Sequence, residues 1–191
     1  MNPDHAFAVI DAANALDPNR LEWDGAPQPL ALVQGQRATH WLLILDPAAD
    51  AAPRLAARAH HVRRWTIPRQ DYPAGRAGYL RWRRALRDIH RETVAELLAP
   101  LGVAPAVIAK VQGLVSKEGL GTDPAMQLVE DAVCLTFLET QFEGLADRLD
   151  HDRLVNAVRK TVLKMSPAAI ELVAAVHLSP AARGALDDAL R

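Results

Sequence analysis

Apolar residues recur along most of this chain at three- and four-residue steps, the period of an amphipathic helix. The pattern predicts a first helix over about 3–15, with Pro3 in its opening turn. A second covers 30–45 and stops before Asp46-Pro47, since a residue preceding proline disfavours helical geometry. A third covers about 51–65, a fourth 76–98 and a fifth 104–117. Between the third and fourth, the segment 66–75 holds Pro68, Pro73 and Gly75 and reads as irregular. A sixth helix takes Thr122 or Asp123 as N-cap and Pro124 as its first residue, and continues to about Leu149. Ser166-Pro167 and Ser179-Pro180 read as two more cap-and-first-residue pairs within a run of three C-terminal helices. The proline-rich stretch 18–29 reads as the one flexible excursion. The pattern therefore predicts an all-α fold, a single globular multi-helix bundle over 1–191.

Composition narrows this only slightly. Alanine and leucine dominate and aromatics are 5%, a mix that suits helices and resists sheets. Cys134 is the single cysteine, so an intramolecular disulfide and a cysteine zinc motif are both excluded. A lone thiol points to a reducing compartment, and the N-terminus lacks the order of a secretory signal, so a cytoplasmic location is expected. No run approaches the length of a membrane span, so no membrane partner is expected.

Charge changes the picture more. The formal net charge is only -1, yet residues 54–91 contain eleven arginines, no lysine, and only Asp71 and Asp88 as acids. Eleven against two gives this stretch +9, and the remainder carries eleven basic and twenty-one acidic groups. Such segregation implies a partner of opposite sign. Arginine is also the better planar, bidentate binder of phosphate and carboxylate. On the fourth helix Trp82, Leu86, Ile89, Thr93 and Leu97 form the expected core stripe. Arg76, Tyr79, Arg83, Arg87 and His90 share another face, and Arg54, Arg58, His61 and Trp65 line up on the third helix.

Seven histidines are present. His5, His151 and His177 read as surface or helix-end residues. His40, His60, His61 and His90 fall on three consecutive helices, and imidazoles so placed can converge inside a bundle. Neighbours on a helix point about 100° apart, and His61, in line with Arg58 and Trp65, is the expected inward member of its pair. Asp131 sits by the apolar line Cys134, Leu135, Leu138, Phe142 and Leu145. A buried aspartate needs a cation or a hydrogen-bond donor, so either a metal or an arginine would satisfy it.

Several segments are similar to the domain-of-unknown-function family 4202. They are Ile10 to Asn14, Ala57 to Arg69, Tyr72 to Arg83, and Glu130 to Glu139. That resemblance runs over nearly the whole chain and brings no activity with it. A second, topological resemblance is to the HD-domain metal-dependent phosphohydrolases. These are helical, with a metal held by a histidine, a His-Asp pair on the next helix, and a distant aspartate. The resemblance implies an HD-domain-like bundle with His40, His61, His90 and Asp131 as metal ligands, although Val62 after His61 means no His-Asp dipeptide exists. An imidazole-rich set suits a divalent transition metal: zinc, iron, manganese, cobalt or nickel.

The expectation is a metal-dependent phosphohydrolase acting on a nucleotide or other phosphorylated metabolite. Metal-bound water would attack phosphorus. Arg58, Arg63, Arg64, Arg69, Arg76 and Arg83 would bind the anion, with Tyr72 or Tyr79 against the rest of the molecule. His60 or Glu130 would serve as general acid or base. The alternatives are a non-catalytic arginine-rich module for structured RNA, and a structural role in which the arginines pair with the acidic remainder of the chain.

Overall fold

The computed structural model describes residues 3–191; the N-terminal reading also touched Met1 and Asn2, which lie outside them. Ten α-helices and one small hairpin make up the described chain, an all-α fold. Helix α1 spans Pro3–Asn14. The hairpin pairs β1 (Arg20–Trp23) with β2 (Ala26–Pro29), and α2 (Leu30–Leu45), α3 (Ala51–Ala59), α4 (Gly75–Leu98) and α5 (Pro105–Val115) follow. The second half holds α6 (Pro124–Thr140), α7 (Phe142–Ala146), α8 (His151–Val162), α9 (Pro167–Leu172) and α10 (Pro180–Leu190). Helix α2 packs on α3 and α6, α3 on α5 and α6, and α4 on α5, while α8 lies against α10. One hydrophobic core runs from Ala6 to Ala189. Among the described residues no helix is long and apolar enough to cross a membrane.

The cap chemistry sets several helix starts. Asp123, Ser166 and Ser179 each accept a bond from a first-turn backbone N–H, and a proline follows each of them. Elsewhere the periodicity misled. The supposed flexible excursion is an antiparallel hairpin with Trp23 opposite Ala26. Asp24 and Gly25 turn it with consecutive φ angles of 51° and 77°, the geometry a two-residue hairpin turn demands. The sixth helix ends at Thr140 rather than near Leu149, because Gln141 leaves helical geometry at φ -132° before α7 begins.

The correction that matters for function lies at the end of the third helix. It stops at Ala59, not Trp65. Arg63 adopts the left-handed region at φ 52°, which reverses the chain into a 3-10 turn over Arg64–Thr66. Helix α4 also sits rotated relative to its expected stripe. Gly78, Leu86, His90, Thr93, Val94 and Leu98 are its buried residues, so His90 belongs to the inward line and Ile89 and Leu97 to its edge. Part of the reason is Gly78. A Cβ there would overlap the Pro73 carbonyl, so the glycine lets the preceding loop press onto the helix and fixes its roll.

Candidate functional site

The turn after α3 projects His60, His61 and Arg64 into a cleft walled by α4 and α6. Two connected cavities form it. One, of about 70 Å³, is lined by His90, Leu86 and Arg87, and the other, of about 360 Å³, by Tyr79, Cys134, Thr161 and Lys164. His60, His61, Arg64, Arg83, Lys117 and Glu130 border both. His61 and Arg64 also border a third cavity beside Gln34, Trp65 and Trp82. His61 therefore stands where all three spaces meet.

Hydrogen bonds orient the imidazoles. His60 Nδ1 lies 2.8 Å from the Ala57 carbonyl oxygen, and His61 Nδ1 lies 2.6 Å from Gln34 Oε1. The Ala57 carbonyl only accepts, so His60 Nδ1 carries its proton; with Gln34 presenting its oxygen, His61 Nδ1 donates as well and Nε2 stays bare, while Gln34 Nε2 is buried without a partner among the described residues. Both rings are held close, with centroids 4.1 Å apart. His90 is 5% exposed, and its Nε2 has no partner among the described residues. Burial is the main force on all three rings. It lowers His60 to about 4 and His90 to about 3, and it holds His61 well below the ordinary histidine value. Nearby Arg64 pushes each of them the same way. The cluster is thus neutral at pH 7.

Arginines and lysines surround it. Arg64 stacks over the Trp82 ring at 4.9 Å, while Trp82 Nε1 donates to the Ile67 carbonyl at 2.9 Å and so anchors the platform. Neither Arg64 nor Arg83 forms an ion pair among the described residues. Desolvation, then Arg83, depress the Arg64 pKa. Glu130, 1% exposed, is the one carboxylate on the cleft among the described residues; Lys117 pairs with its Oε2 and Lys164 lies 3.8 Å from its Oε1. Cys134 is an inert wall: burial pushes its thiol up to about 12.

Of the expected site residues, the fold brings together His60, His61, Arg64, Tyr79, Arg83, His90 and Glu130. Others lie elsewhere. His40 is exposed and edge-on to Trp41. It follows Gln34 on α2 by six residues, about 240° around the helix, and so faces away from His61. Asp131 accepts bonds from Gln127 Nε2 at 2.9 Å and the Ser166 N–H at 2.8 Å, which answers its need for donors without a metal or an arginine. Among the described residues no three His, Cys, Asp or Glu side chains are arranged to hold a metal ion. The expected ligands His40, His61, His90 and Asp131 are not brought together, so they form no metal site.

Several arginines are structural. Arg58 grips Asp11 through two bonds of 2.6 and 2.5 Å, and Arg63 grips Glu96 at 2.6 and 2.8 Å. Arg69 donates to the Tyr72 and Pro73 carbonyls and ties the loop to itself, leaving Tyr72 outside the cleft. Arg76 is exposed beyond the mouth. Sequence reasoning missed Gln34, Lys117, Lys164 and Trp82 as site residues. Gln34 had a signal, as a lone amide among Val33, Ala38, Trp41 and Leu42 on an otherwise apolar face.

Residues 4–186 match the family described as Domain of unknown function (DUF4202), and the chain belongs to that family. No curated protein and no solved structure matches it.

Proposed function

We propose that this chain binds a phosphorylated small molecule, a nucleotide or other phosphorylated metabolite, in the His61–Arg64 cleft and hydrolyses its phosphate ester. One observation carries the reading: Arg64 and Arg83 are desolvated or half-buried without a carboxylate, beside an imidazole whose Nε2 is bare. An unpaired cation out of water is costly, and an anionic ligand relieves that cost. The two guanidiniums receive phosphoryl oxygens and stabilise the charge that develops on them. His61 Nε2 takes a proton from water as its oxygen attacks phosphorus. The ester P–O bond breaks, and the departing oxygen keeps the bonding pair and is protonated by solvent at the mouth. Gln34 holds the imidazole in the required tautomer.

The test is orthophosphate release from a panel of phosphate monoesters and nucleotides. General-base removal costs on the order of 100-fold or more, so His61→Ala is expected to lose that much while His40→Ala retains full activity. Equal rates in wild type and His61→Ala contradict the reading.

A second reading has its own observation. Arg76, Arg81 and Arg84 are exposed on α4 without an ion-pair partner among the described residues, next to exposed Tyr79 and Leu80. That face suits an RNA backbone with an aromatic for stacking. It leaves the buried imidazoles and Arg64 without a task, so it ranks second. Binding of an RNA hairpin that weakens steeply with salt, and is lost in Arg76→Glu/Arg81→Glu/Arg84→Glu, would support it.

A further inference from the structure

We infer that the ligand of the cleft carries at least two phosphoryl groups: a diphosphate- or polyphosphate-bearing small molecule rather than a simple monoester. This rests on the phosphate-binding reading above and narrows it.

The argument is one of charge and placement. Arg64, Arg83, Arg87, Lys117 and Lys164 line the two connected cavities, and Glu130 is their only carboxylate. Five cations against one anion leave a surplus of four, since the imidazoles are neutral. A phosphate monoester brings about -1.5 to -2 at pH 7 and leaves roughly half of that surplus uncompensated. A second phosphoryl group removes most of the remainder. The cations also come from separate elements. Arg64 follows α3, Arg83 and Arg87 lie on α4, Lys117 follows α5 and Lys164 follows α8. Arg83 and Arg87 are one helical turn apart, about 6 Å along the axis, so they form a row rather than a point. Fork-shaped donors in a row match oxygens on successive phosphoryl groups. At the inner end of that row the buried His90 Nε2 has no protein partner and meets the same cavity. A buried polar atom of this kind calls for a ligand group.

The experiment is calorimetric titration of the whole chain with orthophosphate, diphosphate, triphosphate and citrate at constant ionic strength. Diphosphate is expected to bind about tenfold or more tighter than orthophosphate through its additional charge-assisted bonds, with citrate far weaker. Arg87→Ala, an exposed position, is expected to weaken diphosphate while sparing orthophosphate. Orthophosphate binding as tightly as diphosphate, or citrate matching diphosphate, overturns this inference and leaves the phosphate-ester reading standing. Failure of every phosphate compound to bind overturns both.

Discussion

The His61 ring is fixed by Gln34: Nδ1 and the amide oxygen lie 2.6 Å apart across the contact between α2 and α3. The contact is possible because Gly35 is next in sequence. A Cβ at Gly35 would overlap the Arg58 carbonyl oxygen, so only glycine lets the two helices approach this closely. A packing requirement thus sets the orientation of a candidate base. Gln34→Leu keeps the volume and removes the acceptor. It is expected to lower turnover about 10- to 100-fold, the scale of losing an orienting partner, while the melting temperature moves little. Turnover equal to wild type would mean that Gln34 has no positioning role.

Gly35→Ala acts through the same contact. The added methyl has backbone against it, and overpacking of this kind costs about 1–3 kcal/mol. Urea unfolding is the check. A stability equal to wild type would show that α2 and α3 are farther apart than described.

Arg64 separates stability from function. Its guanidinium is desolvated and has no carboxylate partner among the described residues. Arg64→Met removes a desolvated charge but also loses the contact with Trp82, worth about 2 kcal/mol at a desolvated site. The two effects roughly offset, so the ligand-free variant is expected to melt near the wild-type temperature, and its phosphate affinity to fall at least about tenfold, as expected for the loss of a charge-assisted bond. A variant that melts far lower and binds normally would assign Arg64 a purely structural role.

The buried imidazoles make stability depend on acidity. His60 and His90 have folded-state values of about 4 and about 3, below the ordinary 6.5, and His61 is lowered too. Above 6.5 neither state binds these protons, and stability is at its full value. Below it the unfolded chain takes up protons that the folded chain refuses, so stability falls with pH until the folded values are reached. Each fully depressed ring costs about 1.4 kcal/mol per pH unit inside that window. Denaturant unfolding at pH 7 and pH 5 should therefore show a clear loss at pH 5. His90→Gln should make the slope shallower by about one proton. Stability unchanged between the two pH values would contradict the burial of this cluster.

Much of the fold was legible because local chemistry decides it. The bounds of α2 are those the periodicity predicts, and the caps at Asp123, Ser166 and Ser179 are where serine or aspartate precedes proline. The hairpin was legible too, in Asp24-Gly25, but prolines masked it. At the site, His61, Arg64, Arg83, His90 and Glu130 could be nominated from residue type, and Arg83 and His90 also from helical phase; phase failed for the His60-His61 pair, both of which line the cleft, because α3 ends at Ala59 before reaching them. The failures came where tertiary contacts decide. His40 has the right residue type on the wrong side of α2. Arg58 and Arg63 find their carboxylates, Asp11 and Glu96, at 47 and 33 residues' separation, which a search of i±4 neighbours cannot see. Lys117 reaches Glu130 only because it too adopts a left-handed conformation, at φ 62°, past the end of α5.

The most direct test of the central claim is nitrogen-15 NMR of the histidine rings at pH 7, before and after addition of orthophosphate. The account predicts a neutral His61 protonated at Nδ1 and bare at Nε2, with the Nε2 resonance moving as phosphate fills the cleft. A His61 that carries its proton at Nε2, or that does not respond to saturating phosphate, would contradict it.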